Sequence, residues 1–310
     1  MSKKYMIRTP WIALVGALLL SSCSDESKNE VGDGGSGKPQ VYVSNYPLKY
    51  FAERLGGDQI DVHFLAPADG DPAFWKPTDA DVTKLQSADL LLLNGATYEK
   101  WLGHISLPGS IQTDTSMDIA AWFINIVEAG THSHGKDGDH SHSGTAFTTW
   151  IDFSQAAKQA ATAAAAIKEL DGVDSSLVLQ NDKLLQADLE RLDKNMSAAA
   201  KALGDQPLVA SHPIYQYLAR HYELKIEAVL WEPENVPDDE AMSELQQLLA
   251  KHPAKWMVWE GEPAAESVAK LAAIGVKSVV FDPCGSQPDE GDWLAIMEVN
   301  IANLKVLAAP

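Results

Sequence analysis

The chain has 310 residues, which is enough for one large or two medium-sized domains that each bury a hydrophobic core. Its formal net charge is −19, and this becomes about −22 without Lys3, Lys4 and Arg8 of the N-terminal leader. Such an acidic chain argues against nucleic acid or anionic lipid as a partner and is compatible with a cationic ligand, although solubility is the simpler explanation of the charge.

The first residues have the pattern of an export signal. Basic residues precede an apolar run, Trp11 to Leu20, that is too short to be a stable membrane anchor. The following Leu20-Ser-Ser-Cys23 resembles a bacterial lipobox, which implies a signal peptide at 1–22 and lipidation of Cys23; a plain signal peptide with a chance cysteine is the alternative. Residues 23–39 are rich in Ser, Gly and acidic side chains and predict a flexible linker. We therefore expect a lipid anchor that holds a bacterial protein in the periplasm or on the cell surface.

From Gln40 onward, strand and helix patterns alternate along the chain. The expected elements are, in order, a strand at 41–44, a helix at 47–55, a strand at 60–65, a helix capped by Thr78, a strand at 90–93, helices at 152–170 and 175–203, a strand at 208–211, a helix at 215–222, a strand at 256–259, a helix at 266–273 and a strand at 278–281. Asp81, three residues after Thr78, completes a capping box. This alternation implies right-handed β-α-β units and parallel sheets.

A histidine-rich segment at 131–143 interrupts the alternation. It has no apolar period and predicts a low-complexity loop that cannot pack a core. His132, His134, His140 and His142 form two His-x-His pairs, and imidazole is a good ligand for zinc, copper and nickel. We predict these histidines as auxiliary metal ligands, with a solvated insertion as the alternative.

Three polar residues follow strands of the second half: His212, Glu260 and Asp282. Because the carboxyl ends of parallel strands meet at one edge of a sheet, we expect these side chains to lie near a common site. The alternatives are a structural histidine, a glutamate that supports a ligand without binding the ion, and an aspartate that caps a turn.

Several segments carry a family resemblance. Asp71-Pro-Ala-Phe-Trp-Lys-Pro-Thr78, with Asn94-Gly95 and Glu99-Lys-Trp101, resembles the first-domain signature of the zinc/manganese-type solute-binding proteins that feed ABC importers. In the second half, Ser211-His212 with the tyrosines that follow it, and Phe281-Asp-Pro283, resemble two further segments of that family. The resemblance covers nearly all of residues 40–310.

This resemblance implies an α/β fold of two Rossmann-like domains, each with a parallel four-stranded sheet, joined by a long linking α-helix. The implied boundaries are 40–173 for the N-terminal domain, 174–204 for the linking helix and 205–310 for the C-terminal domain.

The resemblance also implies a metal site, but one that lacks two of the usual ligands. His212 and Asp282 match ligand positions, and Glu260 falls where the family commonly has a glutamate. The two first-domain histidines are replaced by Ala73 and Thr148. Since zinc is usually held by four donors, or by three and a water, either other groups complete the shell or the cleft does not bind a bare ion.

Aromatic residues cluster near the expected cleft, and Trp75, Trp150 and Trp231 are predicted to line it. Aromatic faces can bind organic cations or stack on planar ligands, whereas filling a domain interface is the simpler role. Glu232 and Glu234 could face the same cleft or form a solvated acidic turn.

These features predict an extracytoplasmic, monomeric solute-binding protein with Zn²⁺ or Mn²⁺ as the transported ligand and an ABC permease as partner. The alternative is the same fold binding a chelated metal or small organic ligand in an aromatic cleft, and a third possibility is a surface adhesin or metal-buffering lipoprotein. An enzyme is disfavoured because the sequence offers no nucleophile–base pair, phosphate loop or paired-carboxylate motif.

Overall fold

Two parallel four-stranded sheets form the frame of the molecule. They are seen in a computed structural model that describes residues 37–67, 70–126, 131–133, 139–141 and 144–308, of which 131–133 and 139–141 are described by their backbone. The strands are β1 (Gln40–Val43), β2 (Asp61–Phe64), β3 (Leu90–Leu93), β4 (Gln112–Asp114), β5 (Asn125–Ile126), β6 (Thr131–Ser133), β7 (Asp139–Ser141), β8 (Gly144–Thr145), β9 (Pro207–Ala210), β10 (Lys225–Ala228), β11 (Trp256–Trp259) and β12 (Lys277–Val280). The first sheet has the order β2-β1-β3-β4, and the second has the matching order β10-β9-β11-β12.

Helices cover the sheets and connect them. They are α1 (Tyr46–Gly56), α2 (Asp79–Gln86), α3 (Phe153–Ile167), α4 (Ser175–Leu203), α5 (Gln216–His221), α6 (Asp239–Lys251), α7 (Ala265–Ala273) and α8 (Trp293–Leu307). Short 3₁₀ turns lie at Gly57–Gln59, Pro72–Phe74, Lys100–His104, Gly109–Ile111, Met117–Trp122 and Thr149–Ile151. Among the described residues, no helix is both long and apolar enough to cross a membrane.

The long helix α4 is the structural link between the two sheets. The carboxylate of Asp174 caps its start by accepting the N–H groups of Ser176 and Leu177, and Gly204, with φ of 62°, ends it. Its buried face packs against α1, α3 and α8, with Leu189 fully buried. Trp293 at the start of α8 contacts aromatic rings of α1 and α3. One hydrophobic cluster therefore runs from the first sheet through these helices to the second, and residues 38–310 form a single compact unit.

The predicted fold class, two parallel four-stranded α/β sheets linked by a long helix, is confirmed. The predicted strands agree with the observed ones to within about one residue, and α4 has the predicted bounds. The capping box of α2 is also present, with Thr78 and Asp81 bonded reciprocally. The predicted domain boundaries stay a prediction.

The missed helices and strands include β4, β10, α6 and α8, as well as the short strands β5 to β8. Strand β10 lies at the edge of its sheet and is mostly exposed, so it lacks the apolar run that marks β3. Helix α8 is apolar around most of its circumference, and the sharp helical period that identified α4 is therefore absent.

The predicted loop at 131–143 is corrected in part. Its backbone forms an antiparallel ladder between β6 and β7, with His132 opposite His140. The sequence did not predict this ladder, because the segment has none of the apolar alternation by which a strand is recognised. His134 and His142 lie outside the described residues, as do Cys23 and the predicted signal peptide.

Candidate functional site

A histidine and two glutamates converge at the carboxyl edge of the second sheet. His212 follows β9, Glu260 follows β11, and Glu232 follows β10. The Nδ1 atom of His212 lies 3.5 Å from Oε1 of Glu232 and 3.5 Å from Oε1 of Glu260. One donor atom from each of the three residues lies within 4.8 Å of the other two. This arrangement can hold a metal ion.

Backbone hydrogen bonds explain why these side chains meet. The N–H of Ser211 donates to the carbonyl of Val258 at 2.8 Å, and the N–H of Trp231 donates to the carbonyl of Ser211 at 2.7 Å. The three chain segments are thus tied together immediately beside the histidine. His212 is only 2% exposed, so its position is fixed by packing as well.

A cavity of about 490 Å³ opens in front of the two glutamates. Its wall comes from both halves of the chain, with Asp71, Tyr98 and Trp150 on one side and Glu260 and Asp282 on the other. His212 does not line this cavity and borders a smaller one of about 200 Å³ instead. Its imidazole is linked to the large cavity by the two glutamates, which line that cavity and lie 3.5 Å from its Nδ1 atom.

The large cavity is strongly acidic. Five carboxylates line it, and no Lys or Arg is found among the described residues of its wall: Asp71, Glu232, Glu234, Glu260 and Asp282. Burial raises the pKa of Glu260 well above its usual range, and the neighbouring carboxylates, Glu232 first among them, raise it further. A bound cation would relieve both effects, since it favours the ionised carboxylate.

Asp282 lies on the cavity wall but outside the cluster of His212, Glu232 and Glu260. Its Oδ1 accepts the N–H of Cys284 at 2.6 Å, and its own N–H donates to Oδ1 of Asn300 at 3.0 Å. Burial raises the pKa of Asp282, and the hydrogen bond from Cys284 partly offsets this. Asp282 is thus held in a turn by the backbone, while its carboxylate still faces the cavity.

Ala73 and Thr148, which stand where the family has histidines, have different surroundings. Ala73 is fully buried, and its N–H donates to Oδ1 of Asp71 at 2.8 Å. Thr148 lines the cavity, and its hydroxyl donates to the carbonyl of Ile214. Neither position offers a strong metal donor, and Asp71 is the carboxylate that the first half brings to the cavity among the described residues.

The expectation for the cleft aromatics is corrected in two of three cases. Trp150 lies on the wall, and its Nε1 donates to the carbonyl of Pro283 at 2.7 Å, across to the second half. Trp75 instead packs against Trp101, and Trp231 is 8% exposed and packs against Trp259. Each ring packs in a hydrophobic cluster formed by one half of the chain, so neither lines the cavity nor fills a domain interface.

Sequence reasoning missed other residues of the site. Tyr98 and Phe147 supply aromatic surface to the cavity, and Glu232 belongs to the cluster of potential donors. The sequence did indicate Glu232 as a residue that could face the cleft. Its register relative to His212 depends on the path of the chain after β10, a strand that the sequence did not reveal.

The fold and the site together define a class of protein: a two-lobed α/β protein with an acidic cavity between its lobes and a cluster of residues that could hold a metal ion. A family model described as "ZnuA: Zinc-uptake complex component A periplasmic" matches residues 41–306. The chain belongs to this family. The match confirms the predicted family and the predicted role as the solute-binding component of a metal-uptake system.

Individual relatives agree with this assignment. The chain is 27% identical to the high-affinity zinc uptake system protein ZnuA of Bacillus subtilis strain 168 over 307 residues, which cover 93% of each chain. It is 24% identical to the zinc-binding lipoprotein AdcA of Streptococcus pneumoniae serotype 4, covering 95% of this chain and 59% of that protein. The crystal structure of the metal-dependent lipoprotein YcdH from Bacillus subtilis shares the fold, with a TM-score of 0.73 at 23% identity over 87% of this chain and 98% of that one.

Proposed function

We propose that this protein captures Zn²⁺ in the cavity between its lobes and delivers it to an ABC permease. His212, Glu232 and Glu260 are the protein ligands. The observation that carries the proposal is their convergence, with the imidazole 3.5 Å from each carboxylate in a chain of the zinc-uptake family.

The chemistry of these donors suits zinc. Zinc accepts imidazole nitrogen and carboxylate oxygen, and three protein donors with a water complete a tetrahedral shell. Ala73 and Thr148 replace two metal-binding histidines of the family, and Glu232 supplies a further donor in this site. Asp71 and Asp282 on the cavity wall add negative charge that attracts the ion.

The remaining assignments follow from this role. The protein binds its cargo without covalent chemistry, as a monomer anchored by lipid at Cys23 outside the cytoplasm. His132, His134, His140 and His142 collect metal as auxiliary ligands. His132 and His140 lie opposite each other on neighbouring strands, a register that brings paired residues close.

Zinc titration by isothermal calorimetry tests the site. We expect one tight site in the purified protein, and a loss of affinity of at least about tenfold in His212→Ala, Glu232→Gln and Glu260→Gln, because each removes one of three donors. His104→Ala and Glu262→Gln are matched controls, since both residues are exposed and lie outside the cavity. Unchanged tight binding in His212→Ala would contradict the proposed site.

A further inference from the structure

Glu232 is the first residue of a four-residue turn, and the start of that turn is held by the neighbouring strand end. The N–H of Trp231 donates to the carbonyl of Ser211 at 2.7 Å. The N–H of Asn235 donates to the carbonyl of Glu232 at 3.1 Å and closes the turn, with Pro233 at its second position, where proline is favoured. The carbonyls that follow Glu232 must find their hydrogen-bond donors elsewhere in the lobe.

Helix α7 supplies those donors. Three carbonyls of the segment, spaced two residues apart, accept hydrogen bonds from three positions spaced three residues apart at the start of α7: Pro233 from the N–H of Ala264 at 2.8 Å, Asn235 from Oγ of Ser267 at 3.2 Å, and Pro237 from Nζ of Lys270 at 2.7 Å. Residues three apart lie on the same face of a helix. One face of α7 therefore carries a row of donors that holds the segment after Glu232.

The same helix is connected directly to the other glutamate of the cluster. Glu260 lies on the chain between β11 and α7. The residue after it packs beside the turn, since an ideal Cβ on Gly261 would lie 3.5 Å from Cγ of Pro233. Helix α7 thus joins the two segments that carry Glu232 and Glu260, and it fixes their spacing.

Ser267 and Lys270 are the two side chains in this row of donors. Ser267 is fully buried, so its hydroxyl needs the partner that it finds in the segment. The bond from Lys270 has a charged donor, which makes it stronger than a neutral hydrogen bond. Neither residue lines the cavity, so neither is placed to bind the ion itself.

We propose that Ser267 and Lys270 are positioning residues of the zinc site, which hold the turn of Glu232 where its carboxylate can bind the ion together with His212 and Glu260. This inference rests on the proposed function, because it takes Glu232 as a zinc ligand. Zinc–oxygen bonds are about 2.0–2.2 Å long, so a small displacement of the turn weakens the bond. Groups that orient metal ligands commonly contribute about tenfold to hundredfold to the affinity.

Calorimetric zinc titration of Ser267→Ala and Lys270→Met tests this role. We expect each change to lower the affinity by about tenfold, with the protein folded by thermal melting. Lys270→Met keeps the test available if Ser267→Ala fails to fold, since Lys270 is only half-buried. Lys251→Met is the matched control and should bind zinc like the wild type, because Lys251 is exposed at the end of α6.

Rescue by a conservative variant separates positioning from packing. Lys270→Arg keeps a charged donor and should retain the affinity that Lys270→Met loses. Equal losses in these two variants would overturn the role of the charged donor. Wild-type affinity in folded Ser267→Ala or Lys270→Met would overturn the role of that residue, and the proposed function would stand.

A double-mutant cycle with Glu232→Gln shows whether the effect passes through that ligand. Once Glu232 no longer binds the ion, adding Ser267→Ala or Lys270→Met should lower the affinity no further. A second loss of about tenfold in the combined variants would mean that the two residues only support the lobe, and it would overturn the inference. If Glu232→Gln itself binds zinc like the wild type, the proposed ligand set fails together with the inference.

Discussion

At the scale of single residues, burial and the charge of neighbouring carboxylates together make Glu260 hard to ionise in the cleft. The pKa of Glu260 is raised well above its usual value, because the side chain is buried and has carboxylates of both lobes around it. A metal ion inverts this situation, since it stabilises the same charges that repel one another without it. On the proposed function, the carboxylates that are unfavourable in the empty cavity are therefore the ones that favour a cation there.

Zinc affinity should depend on pH through Glu260. Its pKa is raised, so the carboxyl keeps its proton at pH values where an ordinary glutamate is ionised. Zinc must displace that proton, and we expect the affinity to increase with pH until Glu260 ionises without metal. Calorimetry in two buffers of different ionisation enthalpy measures the proton release. At saturating zinc, the Glu260→Gln variant should release fewer protons than the wild type. The control variant Glu262→Gln should release as many as the wild type. Equal proton release by all three proteins would contradict the expectation.

Glu99 should make the stability of the fold depend on pH. Burial raises its pKa to about 7, although the N–H groups of Asn94 and Gly95 donate to its carboxylate and act in the opposite direction. A raised pKa in the folded state gives stability that is present below the ordinary value and is lost as pH rises towards 7. We expect the free energy of unfolding of the wild type, relative to Glu99→Gln, to fall by about 3 kcal/mol between pH 4 and pH 7.5.

Urea unfolding at several pH values measures this difference. Glu262→Gln is the control, because Glu262 is exposed and should show no such trend relative to the wild type. A constant difference between the wild type and Glu99→Gln across the range would show that folding does not raise the pKa of Glu99.

At the scale of elements, α4 carries the junction of the two lobes. It packs against α1 and α3 on one side and against α8 on the other. Its caps and apolar period are all local in sequence, and this is why its bounds were predicted correctly. Strand β10 was missed because its identity as a strand comes from pairing with β9, a contact with no local signal.

A pair of leucines in α4 tests how much this junction stabilises the protein. Leu189 is fully buried, whereas Leu184 in the same helix is 58% exposed. Leu189→Ala should lower the free energy of unfolding by about 2–5 kcal/mol, because it leaves a cavity among packed helices. Leu184→Ala should change it by less than about 0.5 kcal/mol. Chemical denaturation gives both values, and similar losses in the two variants would argue against a packed junction.

At the scale of the whole molecule, we expect the histidine-rich segment and the cleft to be separable sources of metal binding. Strand β5 pairs with β8, and Ile126 lies opposite Gly144, so the chain ends that flank the segment meet in a ladder. Replacing residues 127–143 by Asn-Gly therefore closes a short hairpin and leaves the cleft intact.

The shortened chain should keep one tight zinc ion and lose any weaker additional ions. Native mass spectrometry counts the bound ions, and calorimetry gives their affinities. Adding His212→Ala to the shortened chain should then abolish tight binding. Loss of the tight site by shortening alone would mean that histidines of the segment complete the cleft, against the assignment of Glu232.

The sequence by itself determined the family, the alternation of strands and helices, and two of the three proposed ligands. These features are local: a motif around Asp71, caps and periods, and polar residues such as His212 and Glu260 just after buried strands. Only the tertiary structure decided that Glu232 completes the cluster, that Asp282 lies beside it, and that Tyr98 faces the cavity while Trp75 and Trp231 do not. The physical reason is distance along the chain, because packing between sheets and lobes sets these positions, and no local pattern encodes the register of segments so far apart.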